Sequence, residues 1–157
     1  MTRAHIATLM VLIVAVPAAT ASSFFVSSAK PCFIAGNAGY ALSGSAAANY
    51  TVRIDNTAAK PSLRMQVVDD PAAADFVLVD DSDADSACKA ATAVESIRVD
   101  SAAAKPNLTV ALSRAPADYK IYVRSANYSE QDAAALFAVI WLNANKTGSV
   151  REFAERH

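Results

Sequence analysis

The sequence predicts an α+β fold in which two tandem βββα-type repeats form an antiparallel sheet packed against a C-terminal helix. Three observations predict this fold: an internal duplication, an alternation of apolar and polar residues within each copy, and an apolar helical stretch that follows the second copy. The two copies occupy about residues 50–94 and 95–145 of the 157-residue chain.

The duplication is visible as an ordered series of matching residues. The first stretch begins at Arg53 and the second at Arg98, a constant offset of 45 residues (98 − 53 = 45). After a two-residue deletion the offset becomes 43 (118 − 75 = 43). The other matched pairs are Asp55 and Asp100, Lys60 and Lys105, Pro61 and Pro106, Leu63 and Leu108, Asp75 and Asp118, and Phe76 and Tyr119. A series of this length indicates an internal repeat.

Both copies alternate in the manner of half-buried strands. Residues 63–67 and 108–112 place apolar side chains on one face and polar or small side chains on the other. The continuous apolar run "FVLV" predicts a central strand, whereas the alternating "YKIYVR" favours a position nearer an edge. The connectors "NTAAKPS" and "PAAA" are shorter than the dozen or so residues of a parallel crossover, so each copy is predicted to be an antiparallel meander.

A helix is predicted after each meander. Ser129 begins "SEQDAAALFAVIWLNAN", and Asp132 stands three residues later as in a capping box. Ser86 matches Ser129 in the repeat, which predicts that "SACKAATAV" is a shorter helix. The terminal helix is apolar nearly all round, which is typical of a helix buried on more than one side. It either packs between the sheet and the N-terminal segment or forms a homodimer interface through the Ser129–Asn145 helix.

The first residues predict export from the cytoplasm. Arg3 precedes the apolar run Ile6–Val16, and small residues follow it, as in a secretory signal peptide. Cleavage after Ala21 would remove residues 1–21 and leave residues 22–157 as a single periplasmic or secreted α+β domain. The apolar run is shorter than the roughly 20 residues of a membrane span, so no stable span is expected after cleavage, with an uncleaved anchor as the alternative.

The chain has two cysteines, Cys32 and Cys88. In an oxidising compartment such a pair favours a disulfide, which would stabilise the fold by roughly 3–4 kcal/mol. The alternative is a pair of small buried thiols.

Four aspartates stand within the six residues "DDSDAD" that follow "FVLV". The second copy makes the same turn without an acid, so the fold itself does not require these carboxylates. Asp81, Asp83 and Asp85 have the spacing of the first three ligands of a calcium loop, but Ser86 and Thr92 replace its glycine and its bidentate glutamate. The sequence therefore leaves two interpretations open, a solvated loop and a weak calcium site formed by Asp81, Asp83 and Asp85.

The composition disfavours catalysis and nucleic-acid binding. After cleavage only His157 remains, so histidine-dependent nucleophilic mechanisms lose their base and zinc loses its usual nitrogen ligand. The net charge of −1 gives no basic footprint for nucleic acid. We therefore expect an exported, non-catalytic binding or cell-envelope accessory protein without a cofactor. Its partner would be an unknown envelope protein or a small ligand, and the alternatives are a calcium-binding protein and, more weakly, a histidine-free hydrolase.

The stretch "VVDDPAAADFVLV" resembles a phrase found in small exported envelope proteins of Gram-negative bacteria. The resemblance covers about one repeat and implies a location rather than an activity. Four N-x-S/T sequons would carry glycans only in a eukaryotic secretory pathway. They lie at Asn49, Asn107, Asn127 and Asn145.

Overall fold

The computed structural model describes residues 32–79 and 91–146, which form eight strands, a short 3-10 helix and one α-helix. The class α+β is therefore confirmed. The strands are β1 (Cys32–Ala35), β2 (Ala38–Leu42), β3 (Tyr50–Ile54), β4 (Leu63–Val67), β5 (Phe76–Val79), β6 (Ala93–Val99), β7 (Leu108–Ser113) and β8 (Tyr119–Arg124). The 3-10 helix spans Pro71–Ala73, and α1 spans Glu130–Lys146.

All eight strands belong to one sheet in the order β1-β2-β6-β3-β7-β4-β8-β5. The hairpin β1–β2 is antiparallel, and every other neighbouring pair is parallel. The predicted antiparallel meanders are therefore wrong. The strands β3, β4 and β5 of the first segment (residues 50–79) do not pair with one another, because each lies beside strands of the second segment (residues 93–124).

A regular stagger explains how such short connectors join parallel strands. Across the sheet from β3 through β7, β4 and β8 to β5, the first residue of each strand lies opposite the third residue of the strand before it. Leu108, for example, is the first residue of β7 and lies opposite Val52, the third residue of β3. The last residue of β3, Ile54, and the first residue of β4, Leu63, both lie opposite Val110. The connector therefore moves sideways by two strand spacings, about 10 Å, and never returns along the strand. Because no return along the strand is needed, connectors of this length can join parallel strands, which is why the predicted antiparallel pairing is wrong.

The positions of "FVLV" and "YKIYVR" are the reverse of the prediction. The run "FVLV" forms β5 at the end of the sheet, whereas β8 lies between β4 and β5. Val77 and Val79 remain 44% and 39% exposed, although Leu78 between them is buried. A short apolar run therefore does not require burial on both faces.

The helix α1 begins as predicted. The backbone N–H of Asp132 donates to Ser129 Oγ (3.2 Å), and that of Ser129 donates to Asp132 Oδ2 (2.9 Å), the reciprocal bonds of a capping box. One face of the sheet curls around the helix and encloses a core in which Leu136 and Val139 are fully buried. This burial explains why the sequence of the helix is apolar nearly all round.

The shorter helix predicted from Ser86 lies mostly outside the described residues. Its last two residues, Ala93 and Val94, begin β6 instead.

The connectors cross the face of the sheet opposite α1. Arg53 of β3 donates through Nη1 to the carbonyl of Ala103 (3.4 Å), which lies on the connector between β6 and β7. Gln66 of β4 donates to the carbonyl of Arg114 (3.2 Å), on the connector between β7 and β8. Both side chains alternate with core residues and therefore lie on the outer face. The connectors between β6 and β7 and between β7 and β8 thus contact β3 and β4 on this outer face.

The turn after β3 contains the carboxylate of Asp55. The hydroxyl and the backbone N–H of Thr57 donate to Asp55 Oδ1 at 2.8 Å and 3.0 Å. These hydrogen bonds, with a smaller contribution from Arg53, hold the pKa of Asp55 below its ordinary value. Asp100 accepts the N–H of Ala102 (2.9 Å) in the corresponding turn after β6.

We expect Asp55→Asn to flatten the acid limb of the stability curve. Because the pKa of Asp55 is lower in the folded state, its ionised form contributes stability above about pH 4, and this is lost as the pH falls through the folded pKa. Thermal melting followed by circular dichroism between about pH 2 and pH 6 should show a smaller decrease in Tm for the variant than for the parent. Parallel curves for the two proteins would contradict this role of Asp55.

Candidate functional site

The predicted metal ligands and one predicted disulfide partner lie outside the described residues. Asp81, Asp83, Asp85 and Cys88 belong to residues 80–90, so the calcium site and the Cys32–Cys88 disulfide stay predictions. Cys32 is the first residue of β1. Within residues 32–79 and 91–146, no three His, Cys, Asp or Glu side chains form a group able to hold a metal ion.

The strand β5 offers an open backbone edge. It is the last strand of the sheet, and its only ladder within the described residues is the parallel one with β8. Its outward side chains Val77 and Val79 are the large apolar residues exposed beside that edge. A strand of this kind is a template for pairing with a further extended segment.

The curl of the sheet brings its two end strands together. Phe33 of β1 and Phe76 of β5 pack with their ring centroids 5.5 Å apart, although six strands separate them in the sheet order. We call the space between the two strands the seam. The described residues show no ladder between β1 and β5 across it.

A chain of aromatic rings continues from the seam onto α1. Phe137 packs against Phe76 and against Tyr119, with ring centroids 5.5 Å and 5.2 Å apart. Trp141 donates through Nε1 to the hydroxyl of Tyr119 (2.9 Å). These residues pack against the core but stay partly exposed. The seam therefore joins a backbone edge to an apolar aromatic surface, a combination that can hold apolar side chains of an added strand.

The residue directly before each of four strands is polar, and its side chain accepts a hydrogen bond from the neighbouring strand. We call these the leading residues, each the last residue before its strand: Asn49, Ser62, Asp75 and Asn107. Each accepts a backbone N–H of its neighbour: from Ser96 to Asn49 (2.8 Å), from Thr109 to Ser62 (3.1 Å), from Lys120 to Asp75 (2.7 Å) and from Thr51 to Asn107 (2.7 Å). In each case the donor directly precedes the residue that pairs with the first residue of the strand. Lys120, for example, precedes Ile121, which pairs with Phe76, the first residue of β5.

The sequence interpretation missed this role of the leading residues. Asn49 and Asn107 were singled out only as sequons, yet their side-chain oxygens fix strand register. The signal that reveals them is positional, since an Asn, Ser or Asp stands directly before an apolar-x-apolar strand each time.

A small cleft near the start of α1 is a weaker candidate. Its lining consists of Leu42, Ser43, Gly44, Ile97, Val99 and Asp132. Its volume of about 190 Å³ is below the roughly 300 Å³ at which small-molecule sites begin. The carboxylate of Asp132 also accepts the capping bonds of Ser129, so it is already engaged in helix formation.

Comparisons with known proteins give no relative. No protein-family model matches the chain, and neither the curated proteins nor the solved structures contain a significant match. The resemblance to exported envelope proteins therefore gains no support from them. Within residues 32–79 and 91–146, no helix has the length and hydrophobicity that crossing a membrane requires.

Proposed function

We propose that the protein is an exported, non-catalytic binding module of the cell envelope that adds an extended peptide of a partner protein to the open edge of β5. The observation that carries this proposal is the backbone edge of β5, flanked by exposed Val77 and Val79. In strand addition, main-chain hydrogen bonds supply affinity and alternate side chains supply specificity. The partly exposed aromatic rings beside the seam offer apolar contacts to the alternate side chains of such a peptide, which would supply the specificity.

The edge suits this role better than the terminal helix. The inward residues of α1 are already buried within one chain, including Leu136, Ala138 and Val139 at 0% exposure. Its partly exposed apolar residues lie from Phe137 onward, among them Ile140 and Leu142. A homodimer through the Ser129–Asn145 helix stays an untested alternative with less surface to use.

The internal duplication is part of the same proposal. The two segments share strand positions, and they share the turn in which Asp55 and Asp100 bind the N–H groups of Thr57 and Ala102. The ion pairs of Arg53 with Asp55 and Arg98 with Asp100 also correspond. These matched contacts support two copies of one βββ unit whose strands interleave.

Lysine substitutions on β5 should weaken peptide binding. The probe is a fluorescent peptide with the sequence of residues 107–113, NLTVALS, which has a leading asparagine and apolar alternation. We expect Val77→Lys/Val79→Lys to weaken its binding by about tenfold or more, because charges along an edge oppose strand addition. Fluorescence anisotropy with the mature chain measures the affinity.

Val94→Lys is the matched control, since Val94 is an equally exposed valine (48%) on β6, away from the seam. It should bind the peptide as the parent does. Equal binding by all variants, or no binding at about 1 mM peptide, would refute the proposed function.

A further inference from the structure

We propose that the partner peptide carries Asn, Ser or Asp directly before an apolar-x-apolar run, that this polar residue binds the backbone of Val77, and that the run adds to β5 as a parallel strand. The inference rests on the proposed function and deepens it, because it states which peptides the edge accepts and in which direction they run. It follows from a contact that recurs between neighbouring strands of the sheet.

Two leading residues each hold one residue of the neighbouring strand by a pair of hydrogen bonds. The backbone N–H of Asn107 donates to the carbonyl of Thr51 (2.8 Å), and the N–H of Thr51 donates to Asn107 Oδ1 (2.7 Å). The N–H of Ser62 donates to the carbonyl of Thr109 (2.7 Å), and the N–H of Thr109 donates to Ser62 Oγ (3.1 Å). We call this pair of bonds the clamp.

A third clamp joins β5 to β8. The N–H of Asp75 donates to the carbonyl of Lys120 (2.9 Å), and the N–H of Lys120 donates to Asp75 Oδ2 (2.7 Å). The acceptor in the three clamps is in turn an amide, a hydroxyl and a carboxylate oxygen. The clamp therefore requires a short side chain that carries an oxygen acceptor, and Asn, Ser and Asp all supply one.

The spacing of the clamps identifies Val77 as the next residue to be bound. In β7 the leading residue Asn107 forms a clamp with β3, and Thr109, two residues later, receives a clamp from the leading residue of β4. The strand β5 begins in the same way, since its leading residue Asp75 forms a clamp with β8. The equivalent residue two positions later is Val77, and none of residues 32–79 and 91–146 forms a clamp with it.

The clamp fixes the direction of the added strand. Each clamp described above is followed by a strand that runs parallel to the one it holds. A peptide that forms a clamp with Val77 therefore runs parallel to β5, and its first strand residue lies opposite Leu78, the third residue of β5.

The apolar-x-apolar run follows from the two faces of β5. Leu78 is buried in the core around α1, whereas Val79 is 39% exposed. Paired residues of neighbouring strands share a face, so the first and third residues of the added strand face the core and the second faces solvent. The runs "YTV", "LRM", "FVL" and "LTV" that follow the four leading residues have this same pattern.

Substitutions in the NLTVALS peptide, residues 107–113, test the clamp by fluorescence anisotropy with the mature chain. We expect Asn107→Ala in the peptide to weaken binding about fivefold or more, because the Val77 N–H loses its acceptor. Asn107→Asp and Asn107→Ser in the peptide keep an acceptor and should stay within about threefold of the parent peptide. The matched control is Ser113→Ala in the peptide, which removes a polar side chain outside the clamp and should leave the affinity unchanged.

NMR with a nitroxide label on the peptide tests the direction. In a parallel strand the N-terminus of the peptide lies beside Val77 and its C-terminus extends beyond Val79. The amide signal of Phe76 should therefore be broadened more by a label at the N-terminus of the peptide than by one at its C-terminus. The amide of Val77 should also shift downfield on binding of the parent peptide.

The results separate this inference from the proposed function. Equal affinity of the parent peptide and the Asn107→Ala peptide, or stronger broadening of Phe76 by the C-terminal label, would overturn the inference. Binding that Val77→Lys/Val79→Lys weakens would still support the function in either case. Absence of binding by every peptide at about 1 mM would refute the function and the inference together.

Discussion

Replacing Leu136 with alanine should lower the free energy of unfolding by about 2–5 kcal/mol, because it removes three carbons from a site where the surroundings cannot collapse. Leu136 is fully buried at the middle of α1, and the sheet curls around that helix. Strands on both sides of the curl contact α1, among them β6, β7 and β8. Urea denaturation followed by circular dichroism measures the change.

Val94→Ala is the control for this substitution. Val94 is 48% exposed, so its truncation should change the free energy of unfolding by less than about 0.5 kcal/mol. A loss of similar size at both positions would show that the interior of the curl is not the main source of stability.

Fragments 22–85 and 86–157 should each be unfolded alone and should fold when mixed. Among the described residues, the first fragment retains a single ladder, β1–β2, and the second retains none, since all other ladders join the two segments. A two-stranded hairpin is marginal in water. Mixing restores every ladder, so the far-ultraviolet circular dichroism of the intact chain should return.

The mixture should also melt at a temperature that rises with fragment concentration, whereas the melting temperature of the intact chain should not depend on concentration. A native-like spectrum for either fragment by itself would contradict the interleaved sheet.

Local sequence patterns predicted the half-buried strands of residues 50–124 and the start of α1, but neither β1 nor β2. The alternation of Leu63, Met65 and Val67 predicted a half-buried strand, and all three side chains are less than 10% exposed. Ser129 and Asp132 predicted the start of α1 through a capping box that the hydrogen bonds confirm. Both signals depend on residues within a few positions of one another.

Strand direction and order were not predictable in the same way. The partners of Leu63 are Val110 and its neighbours on β7, more than forty positions away, and nothing in the local pattern of either strand encodes that choice. The decisive information was the stagger, which removes the need for long parallel crossovers. The edge at Val77 and Val79 was missed because a short apolar run reads the same at the end of a sheet as in its centre.

The interleaved order of the sheet also sets when the chain can acquire its structure. Among the described strands, no parallel ladder can form until β6 has been synthesised, and the last of these ladders requires β8, whose final residue is Arg124. Sheets built from such distant partners form slowly, because loop closure precedes any gain from pairing. A nascent polypeptide with this topology therefore has most of its length synthesised before its last parallel ladder can form.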